Sequence, residues 1–171
     1  MKSLKHEKED LSLWYVTIDI LWVKKMKNSE EYYNKTKGNN PSGLLRTFFY
    51  MNFDKELKGK TAIDLGAGAG NDAKFLLEKG FKVTCIDKEE KSKDIIMSQI
   101  TQNENLKFEL QEFEKIKLHK ADLIYSCFSL HFCNPEKFND MMNEIINNIN
   151  TNGFFVGNFL GEEDGWYGNE T

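Results

Sequence analysis

The sequence predicts an α/β protein, a doubly wound, mainly parallel sheet flanked by helices, and three observations carry that expectation. Between residues 60 and 161, five short apolar runs rich in β-branched and aromatic residues alternate with longer segments of helical period, the pattern of strand–helix–strand crossovers. The first of these runs, "KTAIDL", passes directly into "GAGAG", three glycines at alternate positions between a strand and a helix. At 171 residues, 40% of them hydrophobic, the chain can bury one core and reads as one globular unit.

Taken in order, the elements are these. "LSLWYVTIDILWV" (residues 11–23) is apolar, and Leu11, Trp14, Tyr15, Ile18, Leu21 and Trp22 share one helical face, which favours a packing helix. Val16, Ile18, Ile20 and Trp22 alternate almost as well as a strand. The segment covers about half a bilayer as a helix and is interrupted by Asp19. It is flanked by the mixed charges of "KHEKED" and by "KKMKNSE", unlike a signal peptide. "EEYYNKTKGNNPSG" reads as a loop after a short helix, and "LLRTFFYMNF" as a helix. "KTAIDL" is a buried strand, and "NDAKFLLEKG" a helix closed by Gly80. "FKVTCID" is a second strand ending on an acid, "KEEKSKDIIMSQITQN" an amphipathic helix, and "LKFEL" a third strand. "ADLIYSCFSL" is a fourth strand running into a loop, "PEKFNDMMNEIINNIN" a helix opened by proline, and "GFFVGNFLG" a fifth strand.

Composition narrows the function. With 23 basic against 27 acidic residues and a net charge of -4, the chain lacks the basic footprint of a nucleic-acid binder. No stretch reads as a membrane span. Cys85, Cys127 and Cys133 have no metal-binding spacing, and three cysteines without a secretory signal read as reduced thiols in the cytoplasm.

Right-handed crossovers bring the C-terminal ends of all parallel strands to one edge, where such sheets bind ligands. Gly66, Gly68 and Gly70, Asp87, the residues after Leu110, and Ser126 therefore converge on one crevice. Two cofactor classes fit the first turn. "GAGNDA" satisfies the dinucleotide pattern G-x-G-x-x-A, with Asp87 at about the right distance. Asp64, Gly66, Gly68 and Gly70 also fit the S-adenosylmethionine pattern of an acid, one residue, then alternate glycines. Register favours the second, because a fingerprint counted from Gly66 meets Asn71 at its third glycine position. Asp64 would also repel a pyrophosphate but complement a sulfonium and an ammonium. Asp87 can accept both ribose hydroxyls, or cap the next helix. Glu112 can accept the adenine amino group, Phe113 can cover the ring, and the carbonyl of Ser126 can face the methionine amino group. His131, beside Phe132 and Cys133, reads as structural rather than as a base.

"TAIDLGAGAGNDAKFLLEKGFKVTCIDKEE", "ADLIYSCFSLHFCNPEKF" and "GFFVGNFLGEEDGW" together resemble the class I S-adenosylmethionine-dependent methyltransferases, which have a Rossmann-like fold. Within them the chain is similar to small bacterial tellurite-resistance and thiol-methyltransferase-like proteins, and "YYNKTKGNNPSGLL" resembles their lid. The resemblance implies cofactor contacts at Tyr32, Tyr33, Asp64, Gly66, Gly68, Gly70, Asp87, Lys88, Phe113 and Ser126, to which the reading of the residues adds Ala67 within the glycine turn and Glu112. It implies methyl transfer to a small-molecule acceptor such as a thiol or metalloid, with no metal and no assigned catalytic residue. A soft nucleophile attacking a sulfonium needs positioning more than a base. The alternatives are an NAD(P)-dependent oxidoreductase and a cofactor-binding module without turnover.

Two departures from the family set further expectations. Residues 1–28 form an extra N-terminal segment ahead of a methyltransferase domain at 29–171, and the family's C-terminal β-hairpin beside strand five has no counterpart. Strand five should therefore lie at an open edge, inviting self-association.

Overall fold

In the computed structural model the described residues are 29–52 and 56–159. Five helices, α1 (Ser29–Thr36), α2 (Gly43–Met51), α3 (Asn71–Glu78), α4 (Glu90–Gln99) and α5 (Pro135–Asn147), accompany five strands. The strands are β1 (Thr61–Leu65), β2 (Lys82–Asp87), β3 (Leu106–Leu110), β4 (Ala121–Ser126) and β5 (Ile149–Gly157). They form one sheet in the order β3-β2-β1-β4-β5, parallel at every pairing. Chain order reverses between β1 and β4, the place where doubly wound sheets leave a crevice.

Period two sorts the strand side chains between two cores. Ala62, Val83, Cys85, Leu123, Tyr125, Phe154 and Val156 face one side, under Leu45 and Phe48 of α2, Leu76 of α3 and Ile96 of α4. Ile63, Leu65, Ile86, Ile124 and Phe155 face the other, against Met141 and Ile145 of α5. Helix ends follow local chemistry. Ser42 caps α2 by accepting from Leu45 N at 3.0 Å, and Asn134 caps α5 by accepting from Glu136 N at 2.8 Å, with Pro135 in the first turn. At the end of α3, Gly80 N reaches Leu77 O and Phe81 N reaches Leu76 O, the paired bonds of a Schellman motif.

Two boundaries differ from the sequence reading. The tyrosine-bearing stretch "EEYYNKT" is itself helical, as α1, and the loop after it is shorter than expected. Strand β5 begins at Ile149, inside the stretch read as the end of a helix, because α5 stops at Asn147. Ile149 pairs with Ala121, whereas the next pair is Phe154 with Leu123. The intervening residues form a bulge in which Asn152 takes a φ of 62°.

As expected, β5 lies at an edge; among the described strands it pairs with β4 alone. Its Phe154, Phe155 and Val156 are buried on the sheet faces, so what the edge presents is backbone. The apolar segment 11–23, the division at residue 28, and the "GEEDGW" stretch lie outside the described residues. No helix among the described residues is long and apolar enough to cross a membrane.

Candidate functional site

The turn from β1 into α3 is held from below. Gly66 N and Ala67 N both donate to Ile86 O, at 2.8 and 3.1 Å, and Gly68 N donates to Asp87 Oδ2 at 2.9 Å. From α4, Ser92 Oγ donates to Gly68 O at 2.6 Å, and Gln99 Nε2 to Ala69 O. The alternate glycines do not all serve a ligand. A Cβ at Gly66 would stand 2.4 Å from Ser129 Cβ, and one at Gly70 would stand 2.5 Å from Ile96 Cγ1. Only at Gly68 is there room, bounded by Tyr33 and Tyr32 at 3.6 and 3.7 Å. At Gly66 and Gly70, therefore, packing against the protein's own side chains already requires glycine.

Above the turn is a cavity of about 250 Å³, whose lining includes Tyr32, Asp64, Gly66, Ala67, Gly68 and Gly70. At its base Asp64 is 3% exposed, and its Oδ2 has no hydrogen-bond partner. Burial above all, then the carboxylates of Asp72 and Asp87, push the Asp64 carboxyl well above the usual range, against one hydrogen bond from Ala73. A buried oxygen left unpaired is costly, and the residue that carries it lines the cavity.

The remaining sequence-predicted residues, Tyr33, Asp87, Lys88, Glu112, Phe113 and Ser126, do not line this cavity. Tyr33 is buried against Ala69 and Ile95 and donates from its hydroxyl to Asp87 Oδ1 at 3.3 Å. Asp87 is buried behind the turn and also accepts from Glu89 N at 3.0 Å. The α4 N-cap is Glu89, so Asp87 is a turn anchor rather than that helix's cap. Ser126 is buried; its Oγ donates to Leu65 O at 3.1 Å and lies 2.5 Å from Ser129 Oγ. Phe113, half-buried after β3, brings its ring edge within 3.6 Å of the Gly66 Cβ position. Lys88 and Glu112 are exposed and outside the cavity lining; Glu112 pairs with Lys115 at 3.0 Å. His131 stacks on Phe132 with ring centroids 4.1 Å apart and does not line the cavity.

Other lining residues escaped the sequence reading: Ser42, Asp72, Tyr125, Cys127 and Phe128. Asp72 is an acid in a helix first turn, which reads as a partner of the helix dipole. Tyr125 reads as strand core, yet its register partner is Asp64, which brings its hydroxyl to the same edge. Phe128 takes a φ of 53°, and its N donates to Asn158 Oδ1 at 2.7 Å. A polar residue directly after strand five was the available signal for that contact. Burial pushes the Cys127 thiol up to about 11, so it stays protonated at neutral pH. Among the described residues no group of His, Cys, Asp and Glu is placed to hold a metal ion.

Residues 62–153 match the family model described as a methyltransferase domain. No curated protein matches. Among solved structures, the chain is similar to an S-adenosylmethionine-dependent methyltransferase from Mesorhizobium loti, at 23% identity and a TM-score of 0.57, over 66% of this chain and 50% of that one. It is similar to a TehB-like methyltransferase from Corynebacterium glutamicum, at 19% identity and a TM-score of 0.63, over 75% of this chain and 71% of that one. The N-methyltransferase NodS from Bradyrhizobium japonicum, solved with S-adenosylhomocysteine, matches at 12% identity and a TM-score of 0.58, over 77% and 72%. At these identities the likeness is one of fold, and the chain spans about half the length of the first of these relatives.

Proposed function

The chain belongs to the methyltransferase-domain family, and from that premise we propose that it binds S-adenosylmethionine over the β1–α3 turn and transfers the methyl group to a small-molecule acceptor. The observation that carries this reading is that Asp64, a residue of the cavity lining, has a buried Oδ2 with no partner. An ammonium or sulfonium complements it, whereas a pyrophosphate would set anion against anion. The nicotinamide alternative is therefore set aside, in keeping with the family match.

The residues present fit the cofactor. Asp64 would receive its ammonium together with the Ser126 carbonyl, and the amides of Asn39 and Asn40 on the lining offer donors to its carboxylate. Asp87 would take the ribose hydroxyls in exchange for the 3.3 Å bond from Tyr33. Phe113 would flank the adenine, while Glu112 would reach it only by leaving Lys115, and Lys88 would contribute charge from the rim. When bound, the cofactor supplies a methyl group on a sulfonium whose thioether leaves readily. Tyr32, 3.7 Å from the Gly68 Cβ position, would cover the cofactor, and the walls would hold the acceptor in line, which is where most of the rate would arise. The alternative of a binding module without turnover calls for the same cavity and differs only in lacking an acceptor. We also propose a cytoplasmic location, from the three unpaired cysteines.

A thiol or metalloid acceptor, the second reading, rests on the resemblance of the sequence to small tellurite-resistance and thiol-methyltransferase-like proteins. The cavity wall, with Asp64 and Asp72 and no basic residue among its described lining, favours a cationic acceptor instead.

Calorimetry with S-adenosylhomocysteine and NAD tests the cofactor. Micromolar binding of the first and none of the second is expected; equal or tighter NAD binding refutes the reading. Asp87→Asn should weaken S-adenosylhomocysteine by about tenfold or more, since charge-assisted bonds contribute about 1.5–3 kcal/mol.

A further inference from the structure

The cavity carries a second carboxylate that the cofactor does not require. Asp72, in the first turn of α3, accepts from Ser42 N at Oδ1 (2.7 Å) and from the Tyr125 hydroxyl at Oδ2 (2.8 Å). The Tyr125 hydroxyl is in turn 2.5 Å from Ser42 Oγ. Resting on the cofactor reading above, we propose that the methyl acceptor is an amine and that Asp72, held in place by Ser42 and Tyr125, receives it and takes its proton.

Four features of the cavity carry this. Among the described residues lining it there is no lysine, arginine or histidine, so an anionic acceptor, thiolate or oxyanion, would meet carboxylates with no compensating charge. Asp64, whose buried Oδ2 has no partner, is on the same lining and adds a second acceptor rather than a countercharge for an anion. Tyr32 and Phe128 add aromatic surface of the kind that favours cations. Asp72 accepts from Ser42 N at Oδ1 and from Tyr125 at Oδ2, and its carboxylate oxygens, with about four lone-pair sites between them, have room for a ligand donor.

The groups facing Asp72 are Asp64 from β1, Tyr125 and Cys127 from the end of β4, and Tyr32 from α1. Burial raises the Asp72 carboxyl above its ordinary value, against the hydrogen bonds from Ser42 and Tyr125, which brings it nearer the range useful in a proton acceptor. Tyr125 is pushed well above the usual tyrosine range by burial and then by Asp72, so it remains a donor that orients the carboxylate. In the step, the ammonium gives one proton to Asp72 and regains its lone pair. The nitrogen–carbon bond forms as the carbon–sulfur bond breaks, the bonding pair stays on sulfur as a neutral thioether, and the methylated nitrogen carries the positive charge.

Sinefungin, a cofactor analogue with an amine at the position of the transferred methyl, probes this carboxylate without knowledge of the acceptor. By calorimetry, wild-type protein should bind sinefungin about tenfold more tightly than S-adenosylhomocysteine. Asp72→Asn should remove that preference and leave S-adenosylhomocysteine affinity within about threefold. Asp64→Asn should lower both affinities together and preserve their ratio. In wild-type protein the ratio should fall as acid protonates Asp72, a readout that needs no variant and that a merely structural Asp72 would not produce. No preference in wild type, or one that survives Asp72→Asn, overturns the proposal while the cofactor reading stands. Failure of both ligands to bind overturns that reading and this one with it.

Discussion

Gly70→Ala isolates the steric reason for a glycine that a ligand-centred reading assigns to the cofactor. Gly70 has a φ of +79°, and the added methyl would sit 2.5 Å from Ile96 Cγ1 and 3.4 Å from its Cβ and Cδ1. The left-handed backbone costs an alanine about 1–2 kcal/mol. Ile96 is fully buried, so making room for the methyl is an overpacking problem of about 1–3 kcal/mol. The sum is about 2–5 kcal/mol, centred near 3.5, a fall in melting temperature of about 7–14 °C for a domain of this size. Gly68→Ala is the matched control, with a φ of +53° and nearest side chains at 3.6 and 3.7 Å. It should lose only the conformational part, about 1–2 kcal/mol, but its methyl faces the cavity and should weaken S-adenosylhomocysteine the more strongly. Thermal unfolding and calorimetry of both variants, with Ile96→Ala and the double variant Gly70→Ala/Ile96→Ala, separate the contributions. Removing Ile96 Cγ1 should relieve the clash, so the double variant should be less damaged than the sum of its parts by about 1–3 kcal/mol. An additive cycle, or a Gly70→Ala no more destabilised than Gly68→Ala, would refute this account of the turn.

Two more expectations follow from the site and the sheet edge. Burial and then the neighbouring carboxylates raise the Asp64 carboxyl in the folded state, so its contribution is favourable below the ordinary aspartate value of about 3.9 and is lost as pH rises through the raised value. Asp64→Asn should therefore melt above wild type at pH 7, with an advantage that shrinks as pH is lowered toward 4; an advantage that grows in acid would contradict the assignment. The unpaired side of β5 among the described strands supports the proposal of self-association through that edge. Light scattering should show dimers or larger species, and a monomer whose β5 amides exchange slowly would mean that the edge is covered from within the chain.

The order of elements, the crevice and most of its floor were legible because they depend on local rules. A strand buried on both faces must be an apolar run, a crossover helix must show its own period, and parallel crossovers turn one way. Those rules placed Asp64 and the glycine turn beside Asp87 and Ser126 from sequence spacing alone. What spacing does not carry is which side chain fills the space beside a given atom. That Ile96 and Ser129 claim the space at Gly70 and Gly66 depends on how α4 and the loop after β4 settle on the sheet. That Tyr125 meets Asp72 and Ser42 depends on a strand register linking residues 61 positions apart, Asp64 with Tyr125. The start of β5 at Ile149 was likewise decided by pairing with Ala121, where a tertiary hydrogen-bond ladder outweighed the helical reading of "NNIN". Short-range periodicity thus determined the scaffold and the position of its site, while long-range packing decided which carboxylates, hydroxyls and rings the site contains.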